Sequence, residues 1–339
     1  MNSKKLIFIF GLFIFLIFSC RKIIEPIINS NYKIVFTSNR EEKYDLYKID
    51  LNTLNIVQLT FDGKSTSAQR APDNKTIYYN SNGDICRMDL DGTNKINLTN
   101  SASFEYEFSI SKDGEEIAFV SDRDQTPNEL YRTEIYLMNT DDGLPRRISF
   151  SKYYSESPDF SSDNNTIAYE SFDYDSVRFS IHLYSIIDSS DAVITPKGSS
   201  QGFPVFSPDG KYLSYYSWDD HKLYLLNLKT MNRKAIIFGD EQKFSLDGRY
   251  LYFLSTGVGG LDVFRYDISN DKTENITHSP GQENAFDFTP DNRKIVTSTY
   301  IDNDSLSYSQ IFIKNIDSDI IKRLTEDNFN NYKPVIFSN

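Results

Sequence analysis

The sequence predicts an all-β fold, a seven-bladed β-propeller of four-stranded blades whose ring is closed by the C-terminal strand. Three observations predict it. A hairpin-turn signature recurs six times, an aliphatic–aromatic strand recurs six times with a seventh copy that carries Cys in the aromatic place, and the final residues resemble a strand that the first unit lacks. A count of six or eight blades would follow if one unit is misread.

The turn has the form Ser-x-Asp-Gly at residues 111–114, 207–210 and 245–248. Variants occur at Pro72-Asp73-Asn74, at Ser161-Ser162-Asp163-Asn164 and at Thr289-Pro290-Asp291-Asn292. The position after the Asp is Gly or Asn in every copy, because a tight hairpin needs one residue at positive φ and these two reach it most readily. Next comes a short alternating strand, with apolar pairs Ile34/Phe36, Ile77/Tyr79, Ile117/Phe119, Ile167/Tyr169, Leu213/Tyr215 and Leu251/Phe253; the last copy is Ile295/Thr297. Their spacings of 43, 40, 50, 46, 38 and 44 residues set the repeat. A third strand carries Leu46-Tyr47, Ile135-Tyr136, Leu183-Tyr184, Leu223-Tyr224, Val263-Phe264 and Ile311-Phe312, with Ile85-Cys86 as the odd member. A fourth ends in pairs such as Leu59-Thr60, Leu98-Thr99, Ile148-Ser149 and Leu324-Thr325. Period-two alternation of β-branched and aromatic residues is a strand signal, and four strands per unit make a blade. The run Lys333-Pro334-Val335-Ile336-Phe337-Ser338 is similar to Pro204-Val205-Phe206-Ser207. It is expected to complete the blade begun near Tyr32, which leaves no open edge.

The N-terminus reads differently. Lys4 and Lys5 precede an apolar run over residues 6–18, then Ser19 and Cys20. The run is shorter than the roughly 20 residues of a membrane span, so residues 1–19 read as a secretory signal peptide. Ile17-Phe18-Ser19-Cys20 is similar to a bacterial lipobox, which would place a lipid on Cys20. An uncleaved anchor, or an ordinary signal with a chance cysteine, would be the alternatives. Residues 20–30 then form a tether and 31–339 the propeller. Membrane contact would come through the lipid anchor alone. The expected location is the bacterial envelope at the outer membrane, with periplasmic and surface faces both open.

The chain carries 36 basic and 48 acidic residues, a net of −12, and loss of the leader with its two lysines would leave −14. That balance argues against nucleic acid as a partner. Cys86 is the only cysteine besides Cys20; it falls inside a strand and reads as a small buried hydrophobe rather than a reactive thiol.

Phe119-Val120-Ser121-Asp122-Arg123-Asp124, followed by Glu134-Ile135-Tyr136-Leu137-Met138-Asn139, resembles the propeller repeats of the TolB family. Phe206-Ser207-Pro208-Asp209-Gly210-Lys211 and the terminal Leu-Thr pairs extend the resemblance over nearly the whole mature chain. It implies a propeller that docks onto another envelope protein. The chain departs from that family in counting seven units rather than six and in having only the short tether before its first strand.

Loops before the innermost strands, and those between second and third strands, share one face of a propeller. Glu105, Glu107, Glu156, Asp240, Glu241 and Glu283 precede the innermost strands, with Tyr106, Tyr153, Tyr154 and Phe203 beside them. Such a rim could bind a cation, a sugar or a basic protein patch; carboxylates that bridge blades or face solvent are the plainer reading. Residues 122–133, 172–180 and 299–309 read as the longest loops on that face. Neither Asp302-Asn303-Asp304 nor Asp122-Arg123-Asp124 continues into the Gly and distal Glu of a calcium loop. His182, His221 and His278 fall in different blades, and no Gly-x-Ser-x-Gly elbow occurs. No catalytic residue, metal or cofactor is therefore assigned. The expected function is a non-catalytic, monomeric envelope lipoprotein that binds an envelope protein or glycan ligand, with a polysaccharide lyase or glycosidase as the alternative.

Overall fold

The computed structural model describes residues 32–126, 132–141, 143–151, 153–257, 260–279, 281–301 and 308–338. The signal peptide, Cys20, the tether and the acidic triplet 302–304 lie outside these described residues. Seven antiparallel sheets of four strands each form a seven-bladed propeller, and among the described residues the one helical element is a single 3-10 turn at Arg40–Glu42. The chain's last described strand, Asn331–Ser338, pairs with the first, Tyr32–Ser38, and becomes the innermost strand of blade one, with Asp45–Asp50 and Ile56–Gln58 outside it. The innermost strands of blades two to seven are Ser65–Arg70, Glu105–Ile110, Tyr154–Phe160, Gln201–Phe206, Asp240–Phe244 and Gln282–Phe288.

The repeated turn does what its composition requires. Asn74, Gly114, Asn164, Gly210, Gly248 and Asn292 adopt φ of 57°, 79°, 59°, 68°, 69° and 56°. In blade three Asp113 Oδ1 accepts from the Ser111 hydroxyl at 2.6 Å and from the Glu115 amide at 3.0 Å, so one carboxylate organises the hairpin. The Leu-Thr pairs also have a physical cause. Thr60 Oγ1 accepts from the Leu46 amide at 2.9 Å and donates to Asp45 at 2.9 Å, tying the end of the outer strand to the start of the third. Thr99 with Asp84, Ser149 with Glu134, and Thr325 with Gln310 repeat this clamp.

The core lies between blades rather than within them. Seven hydrophobic clusters occupy the junctions; the one between blades one and seven packs Ile34, Phe36 and Ile49 against Val296, Ile311 and Ile313. Cys86 belongs to the cluster between blades one and two. Burial, then the charges of Asp84 and Asp62, push its thiol up to about 12, so almost no thiolate forms at neutral pH.

Innermost strands have a free edge toward the axis, and side chains of neighbouring blades cover it. Asp159 Oδ2 accepts from the Phe206 amide at 2.7 Å, Asp287 Oδ2 from the Ile336 amide at 2.9 Å, and Lys243 Nζ donates to the Phe286 carbonyl at 2.7 Å. Gln69 Nε2 likewise reaches the Phe108 carbonyl at 2.8 Å. These bonds cross-link the ring at its narrow level.

Two loop readings from sequence change. Within 299–309, Thr299 to Ile301 and Tyr308 to Ser309 belong to the paired strands Lys294–Ile301 and Tyr308–Asn315 of blade seven, in register to the Ile301–Tyr308 pair. Residues 172–180 are not a long loop: the second and third strands of blade four run Thr166–Asp173 and Arg178–Ser185, in register to the Asp173–Arg178 pair. Phe172 pairs with Phe179, and both rings pack on Tyr154, which extends the hairpin as a raised arm.

Candidate functional site

Each innermost strand carries a β-bulge near its start. In six blades the bulged residue is left-handed: Lys333, Ser67, Glu107, Ser157, Phe203 and Glu241, with φ between 36° and 55°. In blade seven the bulge comes one residue earlier, at Asn284 in the strand sequence. A bulge breaks the two-residue alternation and re-aims the side chains beyond it. The bulged side chains line the central channel, one recess of which measures about 690 Å³ and is bounded by Arg70, Glu107, Asp159, Phe203, Glu241 and Lys333. A neighbouring recess of about 410 Å³ lies between Tyr44, Ser67, Asn284 and Tyr332.

This geometry divides the residues that the sequence placed together. Glu107, Asp240 and Glu241 are exposed at the channel mouth, with the half-buried Glu156 beside them. Glu105 and Glu283 are instead buried in blade junctions, at 1% and 0% exposure. Glu105 pairs with Arg123 at 3.0 Å and accepts from Ser121 at 3.1 Å, whereas Glu283 accepts from the Val263 amide at 2.8 Å and from Thr277 at 2.7 Å. Regular alternation would put Glu105 and Glu107 on one side, and the bulge at 107 separates them.

The acids at blades three and four are engaged with one another through Ser157. Its amide and hydroxyl face Glu107 Oε2 at 3.1 and 3.3 Å, and the hydroxyl also lies 3.0 Å from Glu170 Oε1. The Phe203 amide donates to Glu170 Oε2 at 3.2 Å, and Tyr106 donates to Glu156 at 2.7 Å. Burial raises the Glu170 carboxyl to about 8, with the charges of Glu156 and Glu107 adding to the rise. Glu107 is raised too: although part of its surface meets solvent, the protein around the channel strips water from its carboxyl, and the Glu156 charge adds to this, against its Ser157 bonds and the charge of Lys333. Glu170 is 2% exposed and sealed behind Ser157 and the Phe203 backbone. Gly202 has no side chain for a direct reason: a Cβ there would collide with the Glu170 carboxylate and the Trp218 ring.

Above these acids lies a continuous band of rings. Tyr153 meets Tyr174 at 4.1 Å, Tyr154 stacks on Phe172 at 4.9 Å, Phe179 on Trp218 at 4.4 Å, and Phe203 and Tyr216 each lie 5.5 Å from Trp218. The loops joining outer to innermost strands, and second to third strands, define one face of the ring. Every exposed aromatic side chain among the described residues lies on that face or in the channel mouth beneath it: Tyr44, Phe61, Phe104, Phe150, Tyr174, Phe203, Phe238 and Tyr300. Among the described residues, the large hydrophobic side chains that the opposite face exposes are non-aromatic, such as Leu54, Leu144, Ile187 and Leu246.

Sequence reasoning missed the bulges, and with them Lys333, Ser67, Ser157 and Asn284. A signal existed: Pro158, Pro204 and Pro334 stand within innermost strands, where proline marks a bulge or an edge. It also missed Ser180, His182 and Asp191, whose side chains adjoin at 3.2 Å and 2.8 Å. Those are the distances of a nucleophile, base and orienting acid. Ser180 lies within the paired third strand on the blade's flank, away from the channel recesses, and Tyr169 both donates to Asp191 and stacks on His182. The set is a polar strut between third and outer strands. His221 and His278 lie in blades five and six to seven, and among the described residues no three His, Cys, Asp or Glu side chains converge on a metal position.

The architecture is that of a TolB-like β-propeller. No protein-family model and no curated protein matches the sequence. Solved structures do share the fold. An acylaminoacyl peptidase in complex with Z-Gly-Gly-Phe-chloromethyl ketone is similar at a TM-score of 0.64 and 14% identity, over 88% of this chain and 51% of that one. An oligogalacturonate lyase in complex with manganese gives 0.63 and 16%, over 78% and 82%. TolB from Acinetobacter baumannii gives 0.53 and 15%, over 91% and 83%. At such identities the likeness concerns the fold, which serves hydrolytic, lyase and TolB proteins alike.

Proposed function

We propose that this chain is a non-catalytic propeller of the bacterial envelope, lipid-anchored through Cys20, that docks another envelope protein or a glycan on its aromatic face. The segregation of exposed rings is the observation that carries the reading. Large exposed apolar surface concentrated on one side, rimmed by charge, marks an interaction site, and aromatic residues are enriched at the core of such sites. Carboxylate catalysis would need an acid that meets its substrate, whereas Glu170 and Glu283, whose carboxyls burial raises to about 8 and about 7, are both enclosed rather than presented to the channel. The TolB-like fold and the leader sequence support the envelope location.

The test compares capture from detergent-solubilised envelope by the mature protein, by a Phe61→Ser/Phe104→Ser/Phe150→Ser variant, and by a Leu144→Ser/Ile187→Ser control on the opposite face. Loss of a specific partner in the first variant and its retention in the control is the expected outcome. Equal capture by all three would refute docking through this face.

A further inference from the structure

Resting on that docking reading, we infer that the channel mouth between blades five and six receives an organic cation, the ammonium or guanidinium of a lysine or arginine on an extended segment of a partner polypeptide. The charge balance at the mouth points there. Glu107, Glu156 and Glu170 are held by Ser157, Tyr106 and the Phe203 amide. Asp240 and Glu241 are different: both are exposed, and their side chains make no hydrogen bond or ion pair with any described residue. The bulge at Glu241, φ 52°, interrupts the alternation that would send one of two consecutive side chains inward, so both carboxylates remain at the opening. The lysines of the recess are directed elsewhere, Lys243 Nζ to the Phe286 carbonyl and Lys333 Nζ to Ser67, and neither forms an ion pair with Asp240 or Glu241. The acids of the recess, Glu107, Asp159, Asp240, Glu241 and Asp287, outnumber its cations Arg70, Lys243 and Lys333.

Beside this unbalanced pair stands an aromatic shelf. Phe203 is the one aromatic among the six left-handed bulge residues, and its ring is 44% exposed. An aromatic held at positive φ is uncommon, and here the conformation projects the ring into the mouth. Trp218 lies 5.5 Å from it and Tyr216 5.5 Å beyond, with the charge of Asp240 acting on the Tyr216 hydroxyl. Ring faces attract a cation, and the two carboxylates supply its counter-charge, so shelf and acids together select positive charge over a neutral sugar, which would leave the pair unneutralised. The recess admits a side chain and its flanking backbone but no folded domain, which selects an extended segment.

Trp218 is the sole tryptophan of the chain and reports on the site directly. Its fluorescence is titrated with capped tetra-lysine and tetra-arginine, with the same tetra-lysine acetylated on every side chain, and with maltotetraose. A saturable response to both cationic peptides alone is expected. It should weaken roughly tenfold in Asp240→Asn/Glu241→Gln and on raising salt from about 50 to about 500 mM. Phe203→Leu should weaken it also, and carries the test if the acid variant melts early. No response to the cationic peptides, or an undiminished response in the variants, overturns the inference. An equal response to acetylated peptide or sugar overturns the cation while leaving docking on the aromatic face intact. Loss of docking itself shows separately, as equal capture by the Phe61, Phe104 and Phe150 variant.

Discussion

Glu170 shows how one buried side chain can set the pH response of the fold. Its carboxyl moves from an ordinary value of 4.5 to about 8 in the folded chain because it is enclosed and faces two other acids. Between those values the folded protein holds a proton that the unfolded chain has released. Stability therefore falls as pH rises through that window, with the full loss reached above the folded value. Glu170→Gln keeps an acceptor for the Phe203 amide and a donor for Ser157 without the charge. Urea unfolding at pH 5 and pH 8.5 should show the variant losing less stability than the native protein, by on the order of a few kcal/mol. Equal pH dependence would mean that Glu170 titrates normally. Nothing at position 170 announces this in the sequence, since an acid in a strand reads as a solvated one; only the bulge that brings Ser157 and Phe203 over it creates the enclosure.

Turns and strands differ in how much of them the sequence discloses. The Asp-Gly and Asp-Asn turns were fully legible, because the φ they impose is a property of the residue itself, and all six fall in the left-handed region. Gly114 gives a clean measure: the atom nearest an added Cβ is Pro72 Cδ at 3.9 Å, so Gly114→Ala meets no clash. The substitution should still destabilise by about 1 kcal/mol from conformation alone, read as a shift in the urea midpoint without a change of slope. The bulges were not legible, because they answer to the curvature of the ring rather than to local preference. They split Glu105 from Glu107 and turned Ser157 and Lys333 toward the axis. The arm at Thr166–Asp173 and Arg178–Ser185 was hidden for a related reason: its Phe172–Phe179 pair is stabilised by Tyr154 of the innermost strand, a contact that no single segment records.

Ring closure was readable from the two chain ends, whereas its reinforcement was not. Blade two also grips the closing strand. Arg70 donates to the Ile336 carbonyl, the Asn74 side chain bonds the Ser338 carbonyl and hydroxyl, and Asn74 Oδ1 accepts from the Ser338 amide at 3.2 Å. Arg70→Ala/Asn74→Ala should leave the inter-blade cores intact and loosen this seam. Faster amide exchange confined to Asn331–Ser338 and Tyr32–Ser38 is the expected result, and exchange raised equally across all blades would refute a local seam.

The strand Asn331–Ser338 is synthesised long after its partner Tyr32–Ser38. Until it emerges, blade one presents an unpaired edge, and the seven junctions cannot all be filled. A chain broken off before this point keeps that edge open to proteases and to other strands. The seam thus acts as a check on completeness, because only a molecule translated through its closing strand becomes a ring without ends.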